Sequence, residues 1–580
     1  MPYDYIVIAG YFALVIAIGF VFKRMAEKST SDYFRGGGRM LWWMVGSSAF
    51  MAQFSAWTFT GASGKAFNDG FAITLVFFAN SFAYLCGWIY FAKRFRQMRV
   101  DTPTEGIKRR FGNGNELFFA WALLIFGIIN GGVWLNALGV FASAFLGADL
   151  AFTIIVTGVA ILFISVLSGA WGVVASDFVQ TLVVAVVAIA CAIVALVDVG
   201  GPVALVTKFP SDFFLGPDMN YPLLLFGTFI FFLAKQMITI MNMNESYRFL
   251  TAKDSKEASK AALLAAILMG IGSIIFFIPP WAAAILYPDT PAAFSQLNGK
   301  AADATYLIFA QNAMPVGTVG LLMAGLFAAT MSSMDGSLNK ASGIFVRSVY
   351  QPFLARRGNI PDDKNLLRVG MVVSTICGLM VILAALFFNS LKELSLFDLM
   401  MQVSALLQVP LMVPLLFGML IKRTPSWAPW ATVALGLFIS WFMTNVMKAQ
   451  NFADWMGMGA LTSRETSDLN LMMAIAAHLF ITAGFFCLTT LFYREQSDAN
   501  KDATNSFFDD LETAIIADDN QAEYDRSQRD KLGTMVLIMG AGIFLMVLIP
   551  NPLLGRLMFA ACAASILWIG WLIKRGRVQA

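Results

Sequence analysis

Polar side chains occur inside stretches of this sequence that are otherwise strongly apolar. The segment GSSAFMAQFSAWTFTGASG (46–64) is crowded with Gly, Ser, Thr and Gln, and AKQMITIMNMN (234–244) carries Lys235, Gln236 and Asn242. An unpaired charge at the centre of a bilayer costs ~3 kcal/mol or more, so such groups face a cavity or a partner. Their oxygens suit a hard cation, and their amides and hydroxyls suit a polar solute in a dry cavity.

The chain around them has the composition of an integral membrane protein. Hydrophobic residues make up 58% of the 580 residues and charged residues 13%, which excludes a string of soluble domains. Apolar runs near the ~20 residues needed to cross the hydrocarbon recur along the chain. They predict fifteen spans, at 4–22, 41–64, 70–92, 117–147, 151–170, 175–199, 221–243, 259–287, 316–346, 368–388, 395–420, 425–446, 470–493, 533–549 and 554–573.

The placement of Lys and Arg predicts the orientation, because cytoplasmic loops retain positive charge. Of the 40 Lys and Arg residues, 32 fall in alternate loops beginning with Lys23 and Arg24, seven fall on the other side, and Lys235 lies within a span. We expect the N-terminus outside and the C-terminus in the cytoplasm, in the plasma (bacterial inner) membrane. The first span has no positively charged leader or small-residue cleavage site, and it is predicted to be retained.

Several other functional classes are disfavoured by the residues. The five cysteines lie in apolar spans with no C-x-x-C pair, and the single histidine, His478, is predicted to pack between helices. No H-E-x-x-H or nucleophile-elbow motif argues for a membrane-embedded enzyme. The net charge of +4 reflects the loops and implies no nucleic-acid partner. No organic cofactor is predicted, and the sequence does not fix an oligomeric state.

Two long loops carry the few soluble features. The basic segment 93–112 is expected either to sit against anionic lipid headgroups or only to fix topology. The acidic segment 494–531 contains SFFDDLETAII, which is predicted to form a helix that begins at a Ser506/Asp509 cap. Its apolar face would consist of Phe507, Phe508, Leu511 and Ile515.

The two polar interruptions recur in the first helix of each of two five-helix blocks, which indicates inverted repeats with discontinuous helices and a site near the bilayer midplane. Five motifs, in order, resemble the sodium:solute symporter family of sugar, proline, sialic acid and vitamin carriers. They are SDYFRGGGRM, SAWTFTGASG, SGAWGVVASDFVQ, ESYRFLTAKDSKEASK and AGLFAATMSSMDGSLNKASG, within roughly residues 4–425. The resemblance implies an all-α, leucine-transporter-type five-plus-five inverted-repeat core with one leading helix and about four trailing helices.

The expected division of the chain follows from this resemblance. It comprises 1–40, the leading transmembrane helix and a cytoplasmic loop; 41–199, the first inverted repeat; 200–220, an extracellular loop; 221–420, the second inverted repeat; 421–493, peripheral helices; 494–531, the acidic cytoplasmic loop; and 532–580, two C-terminal helices and a basic tail.

The resemblance also implies a sodium site at the first broken helix. Its ligands would be the backbone carbonyls of Met51, Phe54 and Ala329 and the hydroxyls of Ser332 and Ser333. Helix interruption frees carbonyls that a continuous helix would use internally, and Ala329 and Ser332, three residues apart, share one helix face. Serine pairs in membrane helices otherwise serve packing. Sodium would be co-transported.

Candidate solute contacts are spread over four spans, and the organic solute is expected to be a sugar, amino acid or carboxylate. They are Gln53, Trp57, Thr58, Asn80, Ser81, Lys235, Gln236, Asn242 and Gln402. Lys235 favours an anionic solute if it faces the cavity. It says nothing about the solute if it pairs with Asp177 or extends to the cytoplasm.

Asp177 and Asp335 form a possible second cation or proton site. By resemblance, Asp177 is the carboxylate that some family members use beside a second sodium ion, whereas the hydroxyl positions that complete that site read Asp335 and Gly336 here. Two carboxylates in low dielectric must share a cation, a proton or a basic partner, unless each caps a helix or pairs with a loop arginine. The sequence thus predicts a sodium-coupled symporter working by alternating access. Alternatives are proton coupling and, less favoured for want of an output module, a solute sensor.

Overall fold

The computed structural model describes residues 2–26, 35–289, 301–358, 362–391, 395–494, 498–517 and 521–576. Within these ranges the protein is helical, and its one β-bridge joins Met40 to Ala252. The first half contains α1 (Pro2–Ala26), α2 (Trp42–Gln53), α3 (Ala56–Phe59), α4 (Gly61–Asp69), α5 (Thr74–Cys86), α6 (Ala92–Gln97), α7 (Pro103–Phe111), α8 (Asn113–Leu146), α9 (Leu150–Val199), α10 (Pro202–Thr207), α11 (Pro222–Ile240), α12 (Tyr247–Leu250) and α13 (Ser255–Leu286).

The second half begins with α14 (Thr305–Ala313) and the long buried helix α15 (Thr318–Ile344). The remaining helices are α16 (Gln351–Ala355), α17 (Asp363–Ser390), α18 (Leu396–Val403), α19 (Val409–Phe417), α20 (Ala428–Asn445), α21 (Ala449–Trp455), α22 (Ser463–Ala477), α23 (Ala483–Leu488), α24 (Asp498–Glu512), α25 (Gln521–Leu545) and α26 (Leu553–Arg575). Short π-helical turns at Gly87–Phe91, Phe345–Tyr350, Ser404–Gln408 and His478–Thr482 join consecutive helices into longer spans.

Eleven helices of the described part are long and apolar enough to cross a membrane, and each matches one of the fifteen predicted spans. The other four predicted spans take different forms. The first is α1. The second is broken between α2 and α3. The fifth is a shorter apolar segment, Leu150–Phe163, and the twelfth belongs to α20 and α21, which meet at 79°. The chain is therefore a multi-pass membrane protein.

Helix α9 differs from its prediction. Two spans were expected at 151–170 and 175–199 with a turn between them, but residues 150–199 form one 50-residue helix. Asp149 caps its start by accepting a hydrogen bond from the Phe152 N–H at 3.0 Å, and Gly200 ends it with a left-handed backbone (φ 100°). The expected turn contains no proline, so the backbone hydrogen-bond ladder has no missing donor there.

The core lies where these helices cross, and large apolar side chains also cover the outer surface. Helix α9 packs against α15 and α2, and α13 packs against α2 and α5. Close packing needs small residues: a Cβ added at Gly46 would meet the carbonyl oxygen of Ala261 at 2.7 Å. By contrast, Leu223, Phe226 and Phe163 are exposed, as expected of side chains facing lipid.

The acidic loop folds onto the basic one. Helix α24 begins at Asp498, so the predicted cap at Ser506 is wrong and Ser506 lies inside the helix. The predicted apolar face is present: Phe507 and Leu511 are buried, whereas Ile515 lies beyond the helix end at Glu512. Helix α24 packs on α6 and α7, which belong to the basic segment 93–112.

Candidate functional site

The first polar segment is a broken helix. Helix α2 ends at Gln53, Phe54 (φ −113°, ψ 99°) and Ser55 (φ −123°, ψ −176°) are extended, and the helix resumes at Ala56. Extended residues cannot continue the i to i−4 ladder, so backbone groups are left for other partners. The side chain of Thr330 on α15 takes one of them, accepting a hydrogen bond from the Ala56 N–H at 3.2 Å. The break therefore faces α15.

The predicted sodium ligands Met51, Ala329 and Ser333 meet at this break. The Ser333 hydroxyl lies 3.3 Å from the Met51 carbonyl oxygen and 3.2 Å from the Ala329 carbonyl oxygen. The Met51 carbonyl also accepts the Phe54 N–H at 3.3 Å. Three oxygens thus converge in a buried space between two helices, which is the donor type that a hard cation takes.

Ser332 occupies the other side of the same turn. Its hydroxyl is buried without a hydrogen bond of good geometry in the described part of the chain, and it faces the Asp177 carboxylate. Its carbonyl accepts Arg248 Nη2 at 3.3 Å. Ser332 therefore lies between the expected main site and Asp177.

A buried arginine that the sequence analysis did not single out neutralises Asp177. Arg248 Nη1 lies 2.6 Å from Asp177 Oδ2, and Ser48 bonds to both groups. The side chains are 7% and 0% exposed. Lys235, one of the predicted partners of Asp177, forms no ion pair with it. The guanidinium therefore stands beside the carboxylate where a second cation was considered.

Asp335 lies close to this pair without joining it. Its carboxylate accepts a hydrogen bond from Ser165 on α9, and it is buried. The next residue, Gly336, makes room for the arginine, because a Cβ there would overlap Arg248 Nη2. Asp177, Asp335 and Arg248 thus form a buried cluster that carries two carboxylates and one fixed positive charge.

The predicted solute contacts fall into different environments. Gln236 donates a hydrogen bond to Asn80, and Thr239 donates to Gln236 Oε1 at 2.9 Å, so a linked amide pair spans α11 and α5. Lys235 is 1% exposed, and its Nζ lies 5.0 Å from the centre of the Phe232 ring.

Two of the predicted contacts have structural roles here. Ser81 donates to the Ala266 carbonyl at 2.8 Å and joins α5 to α13. Asn242 ends α11: its Oδ1 accepts the Asn244 N–H at 2.9 Å, and its Nδ2 donates to the Ile238 carbonyl at 2.9 Å. Both amide atoms of Asn242 are therefore engaged locally.

Trp57 lies in an aromatic layer with Phe77 and Phe397. Trp57 Nε1 donates to the Leu396 carbonyl at 3.1 Å, and the indole stacks between Phe77 and Phe397, with ring centres 6.2 and 5.8 Å away. Beside it, Thr58 Oγ1 is buried without a partner in the described part. The broken helix is thereby fixed to α5 and to α18.

The larger cavity, of about 400 Å³, lies on the side of Lys65 and includes Gln402, Asp398, Lys448 and Asp468. Lys65 pairs with Asp69 at 2.7 Å at its edge. The smaller cavity, of about 80 Å³, is lined by Gln53, Ser333, Glu245, Arg248, Met400 and Gln408. Gln53 and Gln402, both predicted solute contacts, thus lie in separate cavities. Along the broken helix, Trp57 lies between Gln53, which lines the smaller cavity, and Lys65, which lines the larger one.

The arrangement defines a class of protein: a membrane-embedded carrier with a broken helix, a buried oxygen cluster and two cavities lined in part by polar side chains. The family model of the sodium:solute symporter family matches residues 33–434. The chain belongs to the sodium:solute symporter family.

Relatives and a solved structure agree with this assignment. The chain is 26% identical over 433 residues to a sodium/sialic acid symporter of Aliivibrio fischeri, covering 72% of this chain and 83% of that protein. It is 26% identical to a sodium/glucose cotransporter of Vibrio parahaemolyticus (78% and 87% covered) and 28% identical to human sodium/myo-inositol cotransporter 2 (73% and 67% covered). A structure of a Na⁺-coupled sialic acid symporter superposes with a TM-score of 0.65 at 20% identity, over 85% of this chain and 98% of that one.

The protein is therefore a sodium-coupled symporter with a leucine-transporter-type fold, a transporter and not an enzyme. The family resemblance, the fold class and the sodium-coupled transport predicted from the sequence are confirmed. Arg248 was missed because it stands in ESYRFLTAKDSKEASK, where a positive charge reads as loop topology. The buried aspartate in the sixth predicted span was the signal that a basic partner had to exist.

Proposed function

We propose that the protein imports a small polar solute that carries hydroxyl groups and a carboxylate, together with sodium bound at Met51, Phe54, Ala329, Ser332 and Ser333. The inference that the solute is anionic rests on the burial of Lys235. This residue is buried in α11, one residue before Gln236 in the sequence, and no carboxylate pairs with it in the described part of the chain. A buried ammonium without a counter-charge is costly, and an anionic solute would supply one.

Amides suit the remainder of such a solute. Gln236 and Asn80 satisfy each other in this structure, so exchange of that bond for two bonds to hydroxyl groups leaves no buried donor unpaired. Gln53 and Gln402, which line the smaller and the larger cavity, would meet the solute on its way in or out. The relatives that carry sialic acid support a carboxylate-bearing sugar, and those that carry glucose or myo-inositol support a neutral one.

One sodium ion is thermodynamically sufficient for this uptake. A single charge moving inward through about 100 mV gains ~2.3 kcal/mol, and a roughly tenfold sodium gradient adds ~1.4 kcal/mol. Together they support a solute ratio of several hundred, by the same conversion. The inward direction rests on the orientation proposed here, with the N-terminus outside and the basic loops in the cytoplasm of a bacterial inner membrane.

Proton coupling is the second candidate mechanism. The environment of the Asp335 carboxylate favours it. This buried carboxylate is bonded to Ser165, while Arg248 is committed to Asp177. A carboxylate held in this way can bind and release a proton as its surroundings open and close. A sensor role has no comparable support.

Uptake into proteoliposomes tests both candidates. Labelled sialic acid, glucose, myo-inositol and proline are offered with an inward sodium gradient, with a proton gradient alone, and with neither. We expect sodium-driven uptake that anionic sugars inhibit more strongly than neutral ones. Lys235→Gln should raise the KM for the anionic solute strongly and leave the sodium dependence unchanged, whereas Lys208→Gln, in a short extracellular helix–loop segment, should alter neither.

Two results would contradict the proposal. If only neutral solutes are taken up, and Lys235→Gln transports them with normal kinetics, the proposal of an anionic solute is wrong. Uptake that follows the proton gradient and ignores sodium would replace the coupling ion and direct attention to Asp335.

A further inference from the structure

A cleft of about 330 Å³ lies apart from both cavities, where α6 and α13 reach the face that the charge distribution assigns to the cytoplasm. We call residues 498–517, which contain α24, the strap. One wall of the cleft is formed by Lys93, Gln97, Ser255, Lys256 and Ser259, and the other by strap residues Leu511, Glu512 and Ala514.

The helix side of the cleft is positively charged. Lys93 and Lys256 come from different helices, and neither forms an ion pair in the described part of the chain. On the strap side, Glu512 is paired with Arg94 at 2.5 Å, and its side chain is 71% exposed. The cleft therefore holds two available ammonium groups opposite one carboxylate that is already neutralised.

The cleft lies directly below a lipid-facing surface. Trp88 and Ile89 are 42% and 66% exposed, and Lys93 follows Ile89 by four residues on the same continuous helical run, so the two share a face. Ser259 donates a hydrogen bond to the Trp88 carbonyl and connects this surface to α13. Apolar exposure followed within one turn by lysine is the pattern of a membrane interface.

The strap is held in place by contacts that can be broken singly. Ile515 and Ser255 bond to each other twice, from Ile515 N to Ser255 Oγ at 2.9 Å and from Ser255 N to the Ile515 carbonyl at 3.2 Å. Farther along, Asp510 pairs with Arg109 at 2.6 Å and with Arg99 at 3.2 Å. These ion pairs are partly exposed, so each is weak and sensitive to salt.

We propose that the cleft binds the phosphate headgroup of an anionic phospholipid of the adjacent leaflet, with the strap as its second wall. Lys93 and Lys256 contact the phosphate, and the acyl chains run along Trp88 and Ile89. A headgroup in the cleft lies next to Glu512, so the strap carboxylate, which is paired with Arg94, repels its phosphate. The site is independent of the solute and sodium sites.

Binding of phosphatidylglycerol to the purified full-length protein in neutral detergent tests the proposal, with phosphatidylcholine as the comparison lipid. Each lysine near an anionic headgroup contributes roughly a fivefold effect, so Lys93→Gln/Lys256→Gln should weaken phosphatidylglycerol binding about 25-fold. The matched control is Lys364→Gln/Arg368→Gln, which removes two exposed charges from the start of α17, on the same face. Its binding should equal that of the unmodified protein.

A second variant tests the wall without weakening the site. Glu512→Gln removes the negative charge beside the phosphate and releases Arg94 from its ion pair, so it should tighten phosphatidylglycerol binding several-fold, whereas Glu523→Gln, an exposed change in α25, should not. This pair decides the question even if the double lysine variant does not fold.

Three outcomes would overturn the proposal. Equal losses in both double variants would mean diffuse surface charge. Inorganic phosphate that competes as strongly as phosphatidylglycerol would mean a site for soluble anions. Unchanged phosphatidylglycerol binding in Glu512→Gln would mean that the strap does not influence the cleft.

Discussion

Arg248→Gln tests the buried charge cluster most directly. The substitution removes the guanidinium that lies 2.6 Å from Asp177 Oδ2 and 3.3 Å from the Ser332 carbonyl. Because both partners are buried, breaking the pair leaves an uncompensated carboxylate, at a cost of about 3–5 kcal/mol. Asp177→Asn leaves the opposite charge uncompensated and should cost a similar amount.

The double variant Asp177→Asn/Arg248→Gln should lose less than the two single variants together, by about 2–3 kcal/mol, because it leaves no unpaired charge in this pair. The free energy of unfolding is measured in mixed detergent for all four proteins. Arg248→Lys keeps the charge but loses the forked geometry, so it should fall between the unmodified protein and Arg248→Gln.

Sodium adds a second readout. In Arg248→Gln, the carboxylates of Asp177 and Asp335 and the hydroxyl of Ser332 are left as oxygen donors without a cation, so sodium should stabilise this variant more than the unmodified protein. Gly336→Ala should have a milder form of the same phenotype, because its added methyl group displaces Arg248 Nη2. Additive losses in the double variant, with sodium protection equal in all proteins, would refute the assignment of Arg248 as the counter-charge.

Three further predictions concern transport itself. Ser333→Ala removes a hydroxyl that joins two carbonyls and should weaken sodium activation of uptake about tenfold or more; Ser565→Ala, whose hydroxyl bonds only within α26, should leave it unchanged. Trp57→Phe keeps the stacking but loses the hydrogen bond to the Leu396 carbonyl, so sodium leak in the absence of solute should rise. A Trp57→Ala variant with no increase in sodium leak would argue against a barrier role for Trp57. Gln236→Leu should raise the solute KM with little change in sodium affinity; if both move together, the amide acts through structure.

The sequence was most informative where a residue contradicted its surroundings. Gly, Ser, Thr and Gln in an apolar run predicted a discontinuous helix, and the helix is broken at Phe54. The family resemblance, and not this pattern, placed Ser333 opposite Met51, where the structure has the hydroxyl 3.3 Å from the Met51 carbonyl oxygen. The hydrogen bond from Gln236 to Asn80 could not be predicted, because a sequence pattern places residues on a helix but does not pair them across helices. Arg248 is the clearest example: it follows the short helical turn after α11, and only folding brings it to Asp177.

The same limit explains the long helix and the strap. A turn was expected near residue 170 because two spans were needed, but no proline interrupts the backbone between 150 and 199, and the helix continues. The apolar face of α24 was visible in Phe507 and Leu511. Its position was not, because the salt bridge from Arg109 to Asp510 joins residues 401 positions apart.

An aromatic layer at Trp57 between two water-filled cavities would concentrate the membrane voltage. The cavity at Lys65 and the cavity at Gln53 are lined by charged and amide side chains, and Trp57 lies between these two residues along the broken helix. Water in such cavities has a high dielectric constant, so the potential falls mainly across the dry layer between them. An ion that passes this layer experiences most of the membrane potential, worth ~2.3 kcal/mol per charge at 100 mV, over a fraction of the bilayer thickness. Passage of a sodium ion across this layer would therefore produce a large electrical signal, which recordings of transient currents can detect.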